Sequence, residues 1–339
     1  MNKTSSLLAN RRSAPTWILR LRRLLNYGDR PWNFLTIAMS TLVIILVVGV
    51  GLLMWFDSQD SRLAIGWKFL TPTLNASWNP ITSKYVAWPF IYGTIVTSLV
   101  AIIIALPVGL GIAIFLAELS PDWLRNPLGW LIELLAAIPS VVYGLWGIFV
   151  FLPVVVYPVG VFLGNTLGQI PGIGIFFKGP IPASGSSRLA AGLILSIMIV
   201  PTIAALTRDV LRAIPNSQRE ASLSLGATRW EMIWQVLIPY GLSGILGAVI
   251  LALGRALGET MAVTMVIGNS IEGTPSLLRP GYTMSSVIAN QFAEAVDRLH
   301  TSALVEIGLV LFVMTLLLNL AARFLVRQVA RKTPQEARA

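Results

Sequence analysis

The stretch Glu220–Pro239, EASLSLGATRWEMIWQVLIP, decides how the rest of the chain is read. It forms most of a polar island, Arg208–Pro239, in a sequence of 339 residues that is 55% hydrophobic and only 12% charged. With a mean hydropathy of +0.75 the chain is too apolar for an ordinary soluble domain and reads as a polytopic membrane protein. We expect an all-α membrane fold of about six transmembrane helices, with the island between the fourth and the fifth.

The first span is the 23-residue apolar run Phe34–Phe56, long enough to cross a bilayer and lacking the small-residue pattern of a cleaved signal peptide. Asp57 to Trp88 is polar, and Trp55, Trp67, Trp78 and Trp88 suit a membrane interface, so an external loop is expected there. Pro89–Ala117 is uncharged and reads as a second helix bent at Pro107. Its Thr94, Thr97 and Ser98 either line a polar path or are small groups that let helices pack closely. Glu118–Arg125 makes a short return, with a turn at Ser120 and Pro121.

Leu134–Phe177 carries no charge over 44 residues, too many for one crossing. The third helix is expected from about Pro127 to Phe151. The Gly- and Pro-rich segment 158–187 beyond it is either a re-entrant loop or a further membrane segment. Leu189–Thr207 is the fourth helix with Pro201 near its end, Val236–Gly254 begins the fifth, and Ala303–Ala322 makes the sixth. These assignments divide the chain into a basic N-terminal segment 1–32, a transmembrane domain 33–326 and a tail 327–339.

Charge sets the expected orientation. Seven basic residues precede the first span against the single acid Asp29; Arg125, four from Arg208 to Arg229 and five in the tail bring one side to seventeen. The other side holds Arg62, Lys68, Lys84, Lys178, Arg279 and Arg298. The positive-inside rule therefore puts both termini and the island in the cytoplasm. A net charge of +10 could suggest nucleic acid, but the basic residues flank apolar runs instead of lining a polar face, so no nucleic-acid partner is expected.

The chain has no Cys and one His, His300, which excludes disulfides, thiol chemistry and Cys/His metal sites. No Lys follows a Gly, so there is no Walker-type phosphate loop. A membrane-embedded hydrolase would need a nucleophile with a base or a metal cluster, and neither is visible. No catalytic residue, metal or cofactor is expected.

Within the island the order is Glu220, Ala221, Ser222, then Gly226, Val236, Ile238 and Pro239. This resembles the membrane permeases of ATP-binding-cassette importers, whose cytoplasmic signature runs Glu-Ala-Ala, three residues, Gly, nine residues, Ile, one residue, Leu-Pro. Glu220, Ala221, Gly226 and Pro239 match it; Ser222, Val236 and Ile238 are conservative departures. The resemblance implies a short coupling helix that docks on a separate ATPase subunit. The residues suit that part: helix formers run from Pro215 to Leu225, and Gly226 can end the helix in a left-handed conformation. Trp230 and Trp234, four apart on one face, are expected to pack on the membrane-domain helices.

The second constellation is Arg255 and Glu259 in ILALGRALGETMAV, residues 250–263. If the helix continues, the two share a face, about 22 Å along from Tyr240 at ~1.5 Å per residue. An ionised Arg in hydrocarbon is costly without a partner or water, so the pair is either part of a transport path or an internal ion pair that fixes packing. Arg offers a planar fork for an oxyanion. A carboxylate beside it accepts a hydrogen bond from an anion that keeps a proton, as phosphate does and sulfate does not. Together with Thr260, Gly254 and Gly258 the pair makes the candidate substrate pathway.

ELLAAIPSVVYG from Glu133, the GRALGETMAV stretch and the second-helix run are similar to phosphate-specific permeases of the PstC kind over most of residues 90–325. That resemblance implies the type I importer permease fold in a bacterial inner membrane. It also implies inward phosphate transport by alternating access, with Arg255 and Glu259 in the phosphate pathway. As partners it implies a PstA-like second permease, two ATP-binding subunits and an external phosphate-binding protein. The alternatives are a permease for sulfate, molybdate or phosphonate, and a passive anion channel. Glu133 is expected at a gate or an interface. Glu294, Asp297, Arg298 and His300 are expected to be solvated or to touch a binding protein, and Glu306 to reach the outer interface.

Overall fold

The computed structural model of the protein describes residues 29–72 and 78–332. The basic cluster Lys3–Arg23 and Arg338 lie outside the described residues. Met1–Leu53 and Met54–Ala339 form two separate compact units. Six helical stretches among the described residues are long and apolar enough to cross a membrane: Trp32–Asp57, Trp88–Leu119, Ser140–Gln169, Arg188–Ala213, Arg229–Gly258 and Arg298–Gln328. No strand occurs among them, only isolated bridges between Asn79 and Lys84 and between Gly268 and Gly281.

The first span lies in α1 (Asp29–Asp57), an unbroken apolar helix that supplies its own backbone hydrogen bonds, as hydrocarbon requires. The connector after it is not a plain solvated loop. It folds into α2 (Gln59–Ile65) and a 3₁₀ turn, Gly66–Leu70. Trp78 is not at an interface: it is fully buried, edge-on to Tyr85 at 4.8 Å and to Phe90 at 5.1 Å. His300 stacks on the same Tyr85 at 5.6 Å and is buried, not solvated. Burial, with Asp297 nearby, raises the Tyr85 phenol above its ordinary range.

The second span is α3 (Trp88–Ile114), which runs through Pro107 and finishes in a π-helical turn, Phe115–Leu119. Thr94, Thr97 and Ser98 are buried, so they serve packing and do not line an open path. Thr94 accepts a hydrogen bond from the Met284 backbone N–H at 2.9 Å, and Thr97 donates to the Gly93 carbonyl at 2.8 Å.

The expected third helix is displaced. Asp122–Ala137 forms a separate helix, α4, that stops at Ile138, whose extended backbone (φ −63°, ψ 130°) is what a residue before proline prefers. The span then starts afresh at α5 (Ser140–Trp146), passes through a wide π-helical segment, Gly147–Val156, around Pro153, and continues into α6 (Tyr157–Thr166). Most of the first half of 158–187 is thus neither a loop nor an extra span but the end of span three. Only the remainder is irregular, with one 3₁₀ turn at Ile173–Phe176.

The fourth span, α7 (Arg188–Ala213), is the central helix. Buried residues make up 67% of its most apolar stretch, and no other span exceeds 33%. It runs six residues past the expected end at Thr207, so Arg208 belongs to this helix. Glycines let α3 and α7 approach closely: a methyl on Gly109 would lie 2.8 Å from Ile203, and one on Gly192 would lie 2.6 Å from Val100.

The helix α8 (Asn216–Ser224) follows, and span five runs from Arg229 through a π-helical turn, Met232–Leu237, into α9 (Ile238–Gly258). The chain then breaks, forms the short α10 (Met261–Val266), returns through α11 (Met284–Gln291) and ends in α12 (Arg298–Lys332), which carries span six. Glu306 of α12 is buried instead of reaching the interface.

Candidate functional site

At one end of the helices sits α8. Proline again sets its start, because Ile214 before Pro215 takes the extended conformation that terminates α7. Its end is Gly226 at φ +87°, with open space where a side chain would be. Glu220, Ala221 and Gly226 are exposed and Ser222 is half-buried. Thr228 and Glu231 then form a reciprocal capping box that starts span five. Trp230 and Trp234 stack edge-on at 5.4 Å, as their spacing implies. They are 64% and 44% exposed, so a large part of each ring is left uncovered.

Sequence reasoning missed how α8 is held. Arg219 grips Glu118 through Nη2 at 2.7 Å and Nε at 3.1 Å, and its two terminal nitrogens also donate to the carbonyls of Ile214 at 2.6 Å and Leu211 at 2.8 Å. Nearby, Arg208 of α7 donates to Glu133 of α4 at 2.9 Å and pairs with Asp209. Glu133 therefore braces two helices. Neither pairing is signalled by a local motif, since the partners lie 101 and 75 residues apart.

The second constellation departs from its expected geometry. The helix α9 ends at Gly258, and Glu259 is extended (φ −67°, ψ 129°), so Arg255 and Glu259 do not share a helical face. They form no ion pair among the described residues. Glu259 Oε1 instead accepts from Ala262 N–H at 3.2 Å and caps α10, while its carbonyl accepts from Ser285 Oγ at 2.7 Å. Thr260 Oγ1 donates to the Gly258 carbonyl at 3.2 Å.

Arg255 is half-buried, and its Nη1 makes two long hydrogen bonds, 3.5 Å to the Ala136 carbonyl and 3.4 Å to Thr202 Oγ1. Its Nε and Nη2 donate to nothing among the described residues. The Ala136 carbonyl belongs to the C-terminus of α4, where the helix dipole favours a cation. Tyr143 donates to the neighbouring Leu135 carbonyl at 2.9 Å. Open space surrounds the positions where Gly254 and Gly258 would carry a methyl, which leaves room beside the guanidinium. Chemically this is a cation in an apolar helix with two uncommitted donors and weak protein partners, an arrangement that can take up an oxyanion. Thr202 and the end of α4 gave no sign in the sequence, because a lone Thr in a span usually serves packing.

A family model described as binding-protein-dependent transport system inner membrane component matches residues 109–334. The chain is 45% identical over 298 residues to the phosphate transport system permease protein PstC of Xylella fastidiosa, covering 88% of this chain and 90% of that one. It is likewise 45% identical over 305 residues to the protein of the same name from Mesorhizobium japonicum, covering 90% and 92%. Among solved structures it is similar to a chain of a bacterial alginate ABC transporter crystallised with an alginate-bound periplasmic protein, with a TM-score of 0.57 at 15% identity over 91% of this chain and 98% of that one.

Proposed function

The chain belongs to the binding-protein-dependent transport system inner membrane component family, and from that membership we propose that it imports inorganic phosphate as the permease subunit of an ATP-driven transporter. The observation that carries the phosphate assignment is Arg255, a half-buried guanidinium inside an apolar span with two nitrogens that have no partner among the described residues, in a chain 45% identical to phosphate permeases. Anion selectivity follows from the fork, and preference for a protonated oxyanion from Glu259, four residues further along the chain and just past the end of α9. Gly254, Gly258 and Thr260 complete the pathway.

ATP hydrolysis falls to two partner subunits that dock on α8 through Glu220, Ala221 and Ser222, with Gly226 and Pro239 bounding the moving element. A second, PstA-like permease completes the passage, and an external binding protein delivers phosphate. Residues 33–326 form the permease domain, in the inner membrane with both termini in the cytoplasm. The basic segments 1–32 and 327–339 anchor that orientation through the positive-inside rule.

Reconstitution of the complex in vesicles tests the proposal. Phosphate uptake should require ATP, and phosphate loaded on the binding protein should stimulate ATP hydrolysis. Uptake that runs without ATP would show a channel, and ATP-driven uptake of sulfate, molybdate or phosphonate in place of phosphate would show a different permease. Glu259→Gln keeps an acceptor for the Ala262 N–H, so α10 survives; phosphate uptake should fall and exclusion of sulfate should relax. Unchanged uptake and selectivity would remove Glu259 from the mechanism.

A further inference from the structure

The helix α8 is tied to its neighbours in two unequal ways. Its link to span five is four residues, Leu225–Thr228, built round Gly226 at φ +87° with nothing within 4 Å of a side chain placed there. Backbone bonds from Gly226 N–H to the Leu223 carbonyl and from Ala227 N–H to the Ser222 carbonyl close the end of α8 across this joint. Its link to spans two and four is the Arg219 side chain. One guanidinium bonds both oxygens of Glu118, at 2.7 Å to Oε1 and 3.3 Å to Oε2, and also the Leu211 and Ile214 carbonyls at the end of α7, the first of which takes only a long bond of 3.4 Å from the Ile214 N–H. The pair is desolvated: the side chains of Arg219 and Glu118 are 16% and 9% exposed. Separating them strands a buried charge, so they resist separation.

We infer that Arg219 and Glu118 are positioning residues that make α8, the end of α3 and the end of α7 one rigid body, so that motion imposed on α8 reaches spans two and four directly. This rests on the permease reading and adds a second route to the continuous chain through Pro239. The route ends at the anion site. Thr202 lies on α7 and Arg255 on α9, 3.4 Å apart through Oγ1 and Nη1. A shift of α7 against α9 changes that contact, freeing or engaging the guanidinium.

The test uses the complex with its partner subunits in ATP-loaded vesicles, and reads phosphate taken up per ATP hydrolysed. Glu118→Gln and Arg219→Gln should each assemble and should each lower the ratio about fivefold, the low end of the usual range for coupling between sites. The double variant should fall no further than the worse single, because the two act as a unit. Arg219→Lys keeps the charge but not the fork and should give an intermediate ratio. An unchanged ratio, or losses that multiply in the double variant, overturns the inference, as does a loss of uptake and hydrolysis in equal proportion. If a glutamine variant does not assemble, Glu118→Asp and Arg219→Lys carry the same measurement. Should the wild-type complex move another oxyanion, the phosphate reading fails on its own and the ratio is read with that anion.

Discussion

Arg255 and Arg188 are both cations close to the membrane, and their partners separate their roles. Arg188 is fully buried, and its Nη1 and Nη2 hold Thr274 Oγ1 at 3.3 Å and the Ser276 and Glu272 carbonyls at 3.1 and 3.0 Å, which fastens the loop between α10 and α11 to the start of α7. Arg255 holds its partners at 3.4–3.5 Å through Nη1 alone, and its other two nitrogens have no partner among the described residues. Both terminal nitrogens of Arg188 are engaged, although its buried Nε has no partner among the described residues, whereas a guanidinium retained for stability at Arg255 would be expected to engage more than one nitrogen. Arg255→Gln should therefore leave the complex assembled while uptake falls by about tenfold or more, since a hydrogen bond to a charged group contributes ~1.5–3 kcal/mol. Uptake by vesicles and subunit content after purification measure the two effects together. A complex that no longer assembles would mark Arg255 as a packing residue.

At the scale of elements, close approach decides what each helix tolerates. A methyl on Gly93 of α3 would sit 2.0 Å from the Tyr282 carbonyl oxygen, on the segment that Thr94 also fastens through Met284. A methyl on Gly111 of the same helix meets nothing within 4 Å. Gly93→Ala must push backbone aside and should cost about 3 kcal/mol, whereas Gly111→Ala should be neutral or stabilise by up to ~1 kcal/mol. Thermal unfolding of the detergent-solubilised protein compares them; equal shifts would deny the tight docking of α3. The same scale shows why the spans were only partly legible. Apolar length marked six spans, but proline did not say which helices it would break. Pro121, Pro139 and Pro215 each end one helix and begin the next, while Pro107, Pro153 and Pro201 stay inside helices. Neighbouring helices and π-helical turns re-satisfy the backbone in the second group, and those neighbours are tertiary facts. The end of α9 at Gly258 was hidden for the same reason. Its apolar pattern runs on into α10, and only the Glu259 cap and the Ser285 contact, from a distant segment, fix the break. The helix α8 was legible because its start, composition and terminal glycine are all local.

For the whole molecule, the number of spans and the orientation are linked by parity, and the absence of cysteine makes parity measurable. Three spans, Trp88–Leu119, Ser140–Gln169 and Arg188–Ala213, separate Thr82 from Ser224. An odd number puts these two exposed residues on opposite sides of the bilayer, and the orientation proposed from the basic residues has Ser224 in the cytoplasm. Ser184, exposed in the irregular segment after span three, belongs with Thr82. Each of the three, changed singly to Cys, introduces the sole thiol of the chain. In intact cells a membrane-impermeant maleimide should label Thr82→Cys and Ser184→Cys, and should label Ser224→Cys only after the membrane is opened. Had residues 158–187 held an additional crossing, Thr82→Cys and Ser224→Cys would label from the same side. Were the orientation inverted, Ser224→Cys alone would react in intact cells. That outcome would carry α8 away from cytoplasmic ATP and leave the exposed Glu220–Ala221 surface with no ATPase within reach.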